Sequence, residues 1–167
     1  MKISMHNMVV DQCAPLLAAM SKILDKGVAY AEAKKFDPSV LVNSRIAPDM
    51  WPLSRQVQIA SDMVKNGVAR LAGQEAPRYE DNEQTIDELK ARIAKTIDYI
   101  KSVPASAFEG SEDRDIKIPL RDRTLEMKGL DYLRGFVLPN FYFHTSMVYA
   151  LMRHNGVELG KKDFLGA

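Results

Sequence analysis

Apolar residues recur at intervals of three and four along four separate stretches of this chain. That period commits most of it to long amphipathic helices that must bury one face against each other. The clearest stretch is LPNFYFHTSMVYALMRHNG, Leu138 to Gly156. It is apolar and aromatic, carries one histidine on its inward line, and ends on a glycine stop. The spacing predicts a first helix from about Ser4 to Lys34, with Val10, Cys13, Leu17, Met20, Leu24 and Gly27 facing inward and His6 on the same line. Pro15 interrupts it and predicts a bend near Gln12 or a helix that begins only there. A second helix is expected from Pro52 to Ala72–Gly73, with Leu53, Val57, Ala60, Val64, Val68 and Leu71 inward. A third runs from about Thr85 to Ser102 on Ile86, Leu89, Ile93, Ile97 and Ile100, capped by Thr85 or Asn82, with Glu88 in capping-box spacing from Thr85. Its remaining residues, including Lys90, Arg92 and Lys95, read as a solvated face. The last helix should start at Gly129 to Asp131, be kinked or split at Pro139, and end at His154–Asn155.

The joints carry their own signals. Asp37–Pro38 looks like a cap followed by a first-turn proline, so Pro38 to Asn43 should form a turn or two of helix. Gln74 to Gln84 reads as a polar connection. Ile116, Ile118 and Leu120, then Leu125 and Met127, alternate with polar residues around Arg121-Asp122-Arg123 and predict a short β-hairpin, with Pro119 marking an edge. Phe164–Leu165 either pack back on the helices or fray. The architecture expected is all-α: one antiparallel four-helix bundle spanning residues 1–167, with the hairpin before the last helix.

Composition narrows the function class. The 167 residues are an ordinary size for one domain, and 23 basic against 22 acidic side chains give no basic excess to grip nucleic acid. No apolar run approaches the roughly 20 residues that span a bilayer. The start of the chain lacks the roughly 7–15-residue apolar core of a signal peptide. A cytoplasmic protein is expected. The single cysteine, Cys13, excludes an intramolecular disulfide and a cysteine-based zinc cage, and reads as a small buried hydrophobe.

His144 is the sharpest candidate. It lies on the inward line Val137, Phe141, Val148, Leu151, with Asn140 one turn earlier. Polar groups facing a core need partners, because an unpaired one costs about 1–3 kcal/mol. Gln56 on the second helix and His6 on the first are placed to contribute, and Tyr149 flanks the line beside Tyr142. Three readings follow for His144: a core histidine bonded to a neighbour, a polar pocket for a small organic ligand, or a metal site. If the protein is an enzyme, His144 is the group able to act as acid or base near neutrality. Asp49 is expected to pair with Arg55, and Met50 and Trp51 to lid or plug the same end.

Three strings, APDMWPLSRQVQIASD (Ala47 to Asp62), the Leu138–Gly156 segment and GKKDFLG (Gly160 to Gly166), carry a resemblance to the DinB-like superfamily of bacterial four-helix bundles. Over essentially its whole length the chain resembles a subfamily known as a domain of unknown function. The resemblance implies up-down-down-up connectivity and a homodimer. It also implies a metal site of three histidines in the wider superfamily, one on the second helix and two as HxxxH on the last. This chain departs from that pattern: His144 matches the second of the pair, Asn140 stands where the first would be, and Gln56 or Gln58 is nearest the third. Amide oxygens are poor ligands for zinc or nickel, so no metal or other cofactor is expected. The alternatives to a ligand-binding protein are a degenerate metal-dependent enzyme of the DinB-like type, with an ion weakly held by His144 and Asn140, and a dimeric structural protein whose polar cluster pins helix register.

Overall fold

The computed structural model describes residues 3–120 and 122–167. Arg121, in the turn read at 121–123, lies outside them. In chain order the elements are α1 (Gln12–Lys34), α2 (Ser39–Val42), α3 (Leu53–Leu71), α4 (Ile86–Ser102), β1 (Asp115–Pro119), β2 (Thr124–Lys128), α5 (Gly129–Tyr132), α6 (Leu138–His154) and α7 (Lys161–Leu165). The protein is mostly helical, with one two-stranded antiparallel hairpin. α1 and α3 each pack against both α4 and α6, around one apolar core. The stripes are those the period indicated: the α3 residues Leu53, Val57, Ala60, Val64, Val68 and Leu71 are all fully buried.

Both internal prolines are accommodated in the same way. A π-helical turn, Asn7–Asp11, leads into α1, and Pro15 stands four residues after Asp11. A second, Leu133–Val137, leads into α6, and Pro139 stands four residues after Gly135. A helical proline has no N–H for the carbonyl four residues back, and its ring crowds that carbonyl. The wider turn moves the carbonyl aside, so the expected kink appears as a local change of pitch.

The ends follow side-chain chemistry. The Thr85 hydroxyl accepts from the Glu88 amide at 3.2 Å while the Glu88 carboxylate accepts from the Thr85 amide at 3.0 Å, the capping box read from the sequence. Asp37 accepts from the Ser39 amide at 2.8 Å and starts α2. Gly156 ends α6 with φ +98°, where a side chain would be strained. Gly27 lets α1 approach α6, since a Cβ there would stand 2.8 Å from the Met152 methyl.

In the hairpin, Ile116 pairs with Met127 and Ile118 with Leu125. Leu120 falls past the end of β1 and is exposed, so the alternation stops one residue earlier than its period suggested. At the C-terminus, Phe164 packs edge-on against Tyr149 at 6.1 Å and Asp163 pairs with Lys26 at 2.6 Å. Leu165 stays exposed. Burial among apolar neighbours pushes the Cys13 thiol up to about 12, so it stays protonated and inert.

Candidate functional site

α3 carries Gln56 one turn after its start, on the buried side, and α6 carries His144 on its inward line. The two meet at 2.7 Å, His144 Nδ1 to Gln56 Oε1. The Gln56 amide nitrogen donates to the Trp51 carbonyl at 3.2 Å, which fixes the amide with its oxygen toward the ring. A glutamine oxygen only accepts, so Nδ1 is the protonated nitrogen and Nε2 carries the lone pair. The ring retains 9% of its exposure. Burial, and then the positive charge of Arg55, hold its pKa below the ordinary value, so it is neutral near pH 7. The site thus presents a neutral nitrogen acceptor, held in one tautomer by a relay that starts at a backbone carbonyl.

The other residues expected here are engaged elsewhere. Asn140 donates to the Phe136 carbonyl one turn back at 2.7 Å, the local bond a short amide makes within a helix. His6 packs edge-on against Phe108 at 5.3 Å. The Tyr149 hydroxyl reaches the Leu159 carbonyl at 3.4 Å. Of the five, the structure brings together His144 and Gln56. Trp51 is not a plug: it is 59% exposed, with the Arg55 guanidinium 5.9 Å from its ring centroid. Phe143, also exposed, stands edge-on to His144 at 5.1 Å. Arg55 pairs with Asp81 rather than with Asp49. A cleft of about 230 Å³ opens at this end between Trp51, Arg55 and Gln58 on one wall and Asp81, Glu83 and Gln84 on the other. Its lining does not include the His144 ring, which joins this wall through Gln56 and the Trp51 carbonyl.

The superfamily's metal chemistry does not fit these donors. Nδ1 of His144 is a donor to Gln56, the Gln56 oxygen is taken by that bond, and the Asn140 amide turns to the backbone. Among the described residues no three His, Cys, Asp or Glu side chains cluster as ligands. One imidazole nitrogen beside a guanidinium is a poor cage for a cation.

A second polar node lies on the α4 side of α3, and it corrects the reading of Arg92 as part of a solvated face. Arg92 is 3% exposed. Its guanidinium meets Asp62 at 2.9 Å, Asp81 at 3.0 Å and Glu83 at 2.9 Å, and donates to the Glu80 carbonyl at 3.0 Å. Lys65, equally buried, pairs with Asp62 at 2.9 Å. Tyr79 lies beneath three cations, with Lys95, Lys65 and Arg92 at 3.8, 4.1 and 5.3 Å from its ring centroid. Asp62 comes from α3, but Asp81 and Glu83 come from a stretch that reads as a featureless connection, and a cation at a polar helix position carries no mark of which way it turns.

Fold and site together define a DinB-like helical protein that lacks the histidine triad. A crystal structure of a DinB family member protein from Shewanella denitrificans is similar to this chain with a TM-score of 0.91 and 42% identity, covering 97% of this chain and 92% of that one. The model of the family described as "Domain of unknown function (DUF1993)" matches residues 5–165, and the chain belongs to that family. No curated protein matches it.

Proposed function

We propose that this protein binds a small organic molecule at the α3–α6 end, using the lone pair of His144 Nε2 as the polar anchor and Trp51 and Phe143 as an aromatic rim. The observation that carries this reading is the Trp51–Gln56–His144 relay. A histidine that served only to fill the core would need one partner. Here the partner is itself oriented by a carbonyl, so the remaining nitrogen is left as an acceptor of fixed direction. The ligand class that suits it has a hydroxyl or N–H donor on an apolar or aromatic body. If a reaction follows binding, the same nitrogen is the group able to take the donor's proton.

The bundle order that would put these residues at one end is up-down-down-up. Pairs of contacts support it. Gln56 meets His144 of α6 while Arg70 meets Tyr132 of α5, which leads into α6, so α3 runs opposite to the α5–α6 stretch. Gly27 faces Met152 and Gly156 faces Tyr30, so α1 and α6 run together. Assembly as a homodimer and a cytoplasmic location complete the proposal, the first to be read by light scattering of the eluted protein.

Phenol, which offers one O–H donor on an aromatic body, is a suitable probe. Titrated into ¹⁵N-labelled protein, it should shift the His144 ring nitrogens and the Trp51 indole N–H together and saturably. Its failure to move either resonance at millimolar concentration would sink the small-molecule reading.

A further inference from the structure

The connection between α3 and α4 is held unlike the rest of the molecule. None of residues 73–85 is buried and none belongs to the apolar core. Polar contacts from the two helices hold it instead. Arg92 reaches the Glu80 carbonyl and the carboxylates of Asp81 and Glu83. Gln58 donates to the second oxygen of Glu83 at 2.9 Å. Arg55 pairs with Asp81, and the Tyr79 hydroxyl donates to the Lys95 carbonyl at 3.3 Å beneath its three cations. A segment with few apolar contacts opens at low free-energy cost, while the helices beneath it stay folded.

One of these contacts reaches the candidate site. Arg55, held by Asp81, also donates to the Gln58 oxygen at 3.1 Å and stands over the Trp51 ring. Asp81, Glu83 and Gln84 form one wall of the cleft whose other wall is Trp51, Arg55 and Gln58. The strap therefore forms one wall of that cleft and, through Asp81, holds the guanidinium that stands over the Trp51 ring.

We propose that residues 79–83 are a releasable strap, clasped by Arg92, whose Asp81 sets the position of Arg55, so that release removes one wall of the Trp51–Arg55 cleft and frees the Arg55 guanidinium, next to Gln56 on α3, to move. The coupling rests on the reading of His144 given above; the strap does not. A ligand that draws Arg55 away from Asp81 then loosens the strap by the same free energy with which strap opening favours that ligand.

The test uses the full chain, with two variants and two readouts. Glutamyl endopeptidase cleavage at Glu80 and Glu83 reports the open strap, with cleavage at Glu88 inside α4 as the internal reference. Arg92→Met should speed cleavage in the strap relative to Glu88 by about ten- to a hundredfold, the weight of lost charge-assisted bonds. Asp81→Asn, a near-isosteric change at a half-exposed position, should do the same to a smaller extent and carries the test if Arg92→Met does not fold. The second readout is the His144 titration by NMR. Its midpoint should rise in Asp81→Asn as Arg55 moves off. Strap cleavage unchanged relative to Glu88 in the folded variants overturns the strap. Faster cleavage with a His144 midpoint that stays put or falls, as loss of the Asp81 charge alone would make it, overturns the coupling alone. Phenol binding to the wild-type protein reports separately on the site itself.

Discussion

The α6 side and the α4 side of α3 each hold a buried polar node, and the two are built on opposite principles. His144 and Gln56 are neutral, sit in the core between two helices, and satisfy each other with one bond and one backbone carbonyl. Arg92 and Lys65 are charged, and their acidic partners lie at the margin, with side-chain exposures of 25%, 37% and 11% for Asp62, Asp81 and Glu83. A neutral pair can be enclosed because its desolvation cost is small. A guanidinium can be enclosed only if counter-charges and acceptors surround it, and those stay cheapest where they still touch water. The first node therefore suits a fixed binding group, and the second suits a joint that can be undone.

The largest effect expected from this contrast is at Arg92. Arg92→Met removes the shared partner of three carboxylates and a carbonyl, and also leaves Lys65 facing a changed field. Breaking a buried pair costs about 3–5 kcal/mol when the orphaned charge stays dry. Here the acids can turn to water, so a loss of about 2–4 kcal/mol in urea-induced unfolding is expected. A loss below roughly 1 kcal/mol, the range of surface pairs, would erase the distinction between the nodes.

The neutral node should respond less and in a different pattern. Gln56→Leu strands the His144 Nδ1–H in the core, at a cost of about 1–3 kcal/mol. Adding His144→Phe removes the stranded donor, so the double variant should recover most of that loss, because replacing both partners by apolar groups is close to neutral. Additive losses in the cycle would mean that the two residues act independently and that the relay is not a unit.

The pH dependence gives a smaller, signed test. The His144 pKa lies below 6.5 in the folded protein, chiefly through burial. The unfolded chain then takes up the proton first as pH falls. Stability from this group is complete above about 6.5 and declines as pH drops from there to the folded-state value, below which the slope vanishes. His144→Phe should flatten that part of the profile and leave the carboxylate-driven loss at lower pH in place. Unfolding midpoints at closely spaced pH values check it, and an unchanged slope in the variant would show that His144 is not desolvated.

How much of this was legible in the sequence follows the same division. The helical stripes, the Thr85–Glu88 box and the two proline bends were readable because each is written within a few residues. His144 was readable because a polar residue on an apolar line must find a partner, and Gln56 stood on the facing line. Asn140 misled because its amide satisfies itself one turn back, an option no pattern of apolar residues reveals. Arg92 was hidden because its meaning lies in Asp62, Asp81 and Glu83, outside its own helix. The π-helical form of the bends was not written either, since a proline fixes what must be avoided and leaves the local pitch to the packing.

Lys90 and Arg92 sharpen that last point, and comparing them yields the smallest effect expected. They are two residues apart on α4, carry the same charge, and look alike in sequence. Lys90 pairs with Asp25 of α1, yet the side chains keep 32% and 53% of their exposure. Removing such a pair leaves both groups hydrated and screened, which places Lys90→Ala at about 0.2–1 kcal/mol, falling further in molar salt. The loss in Arg92→Met should change less with salt, because the Arg92 guanidinium itself is almost wholly enclosed. Unfolding free energies of the two variants at low and high salt decide the matter. If both losses shrink alike, the charge rather than its enclosure sets the energy, and the contrast between a hydrated pair and a clasp disappears.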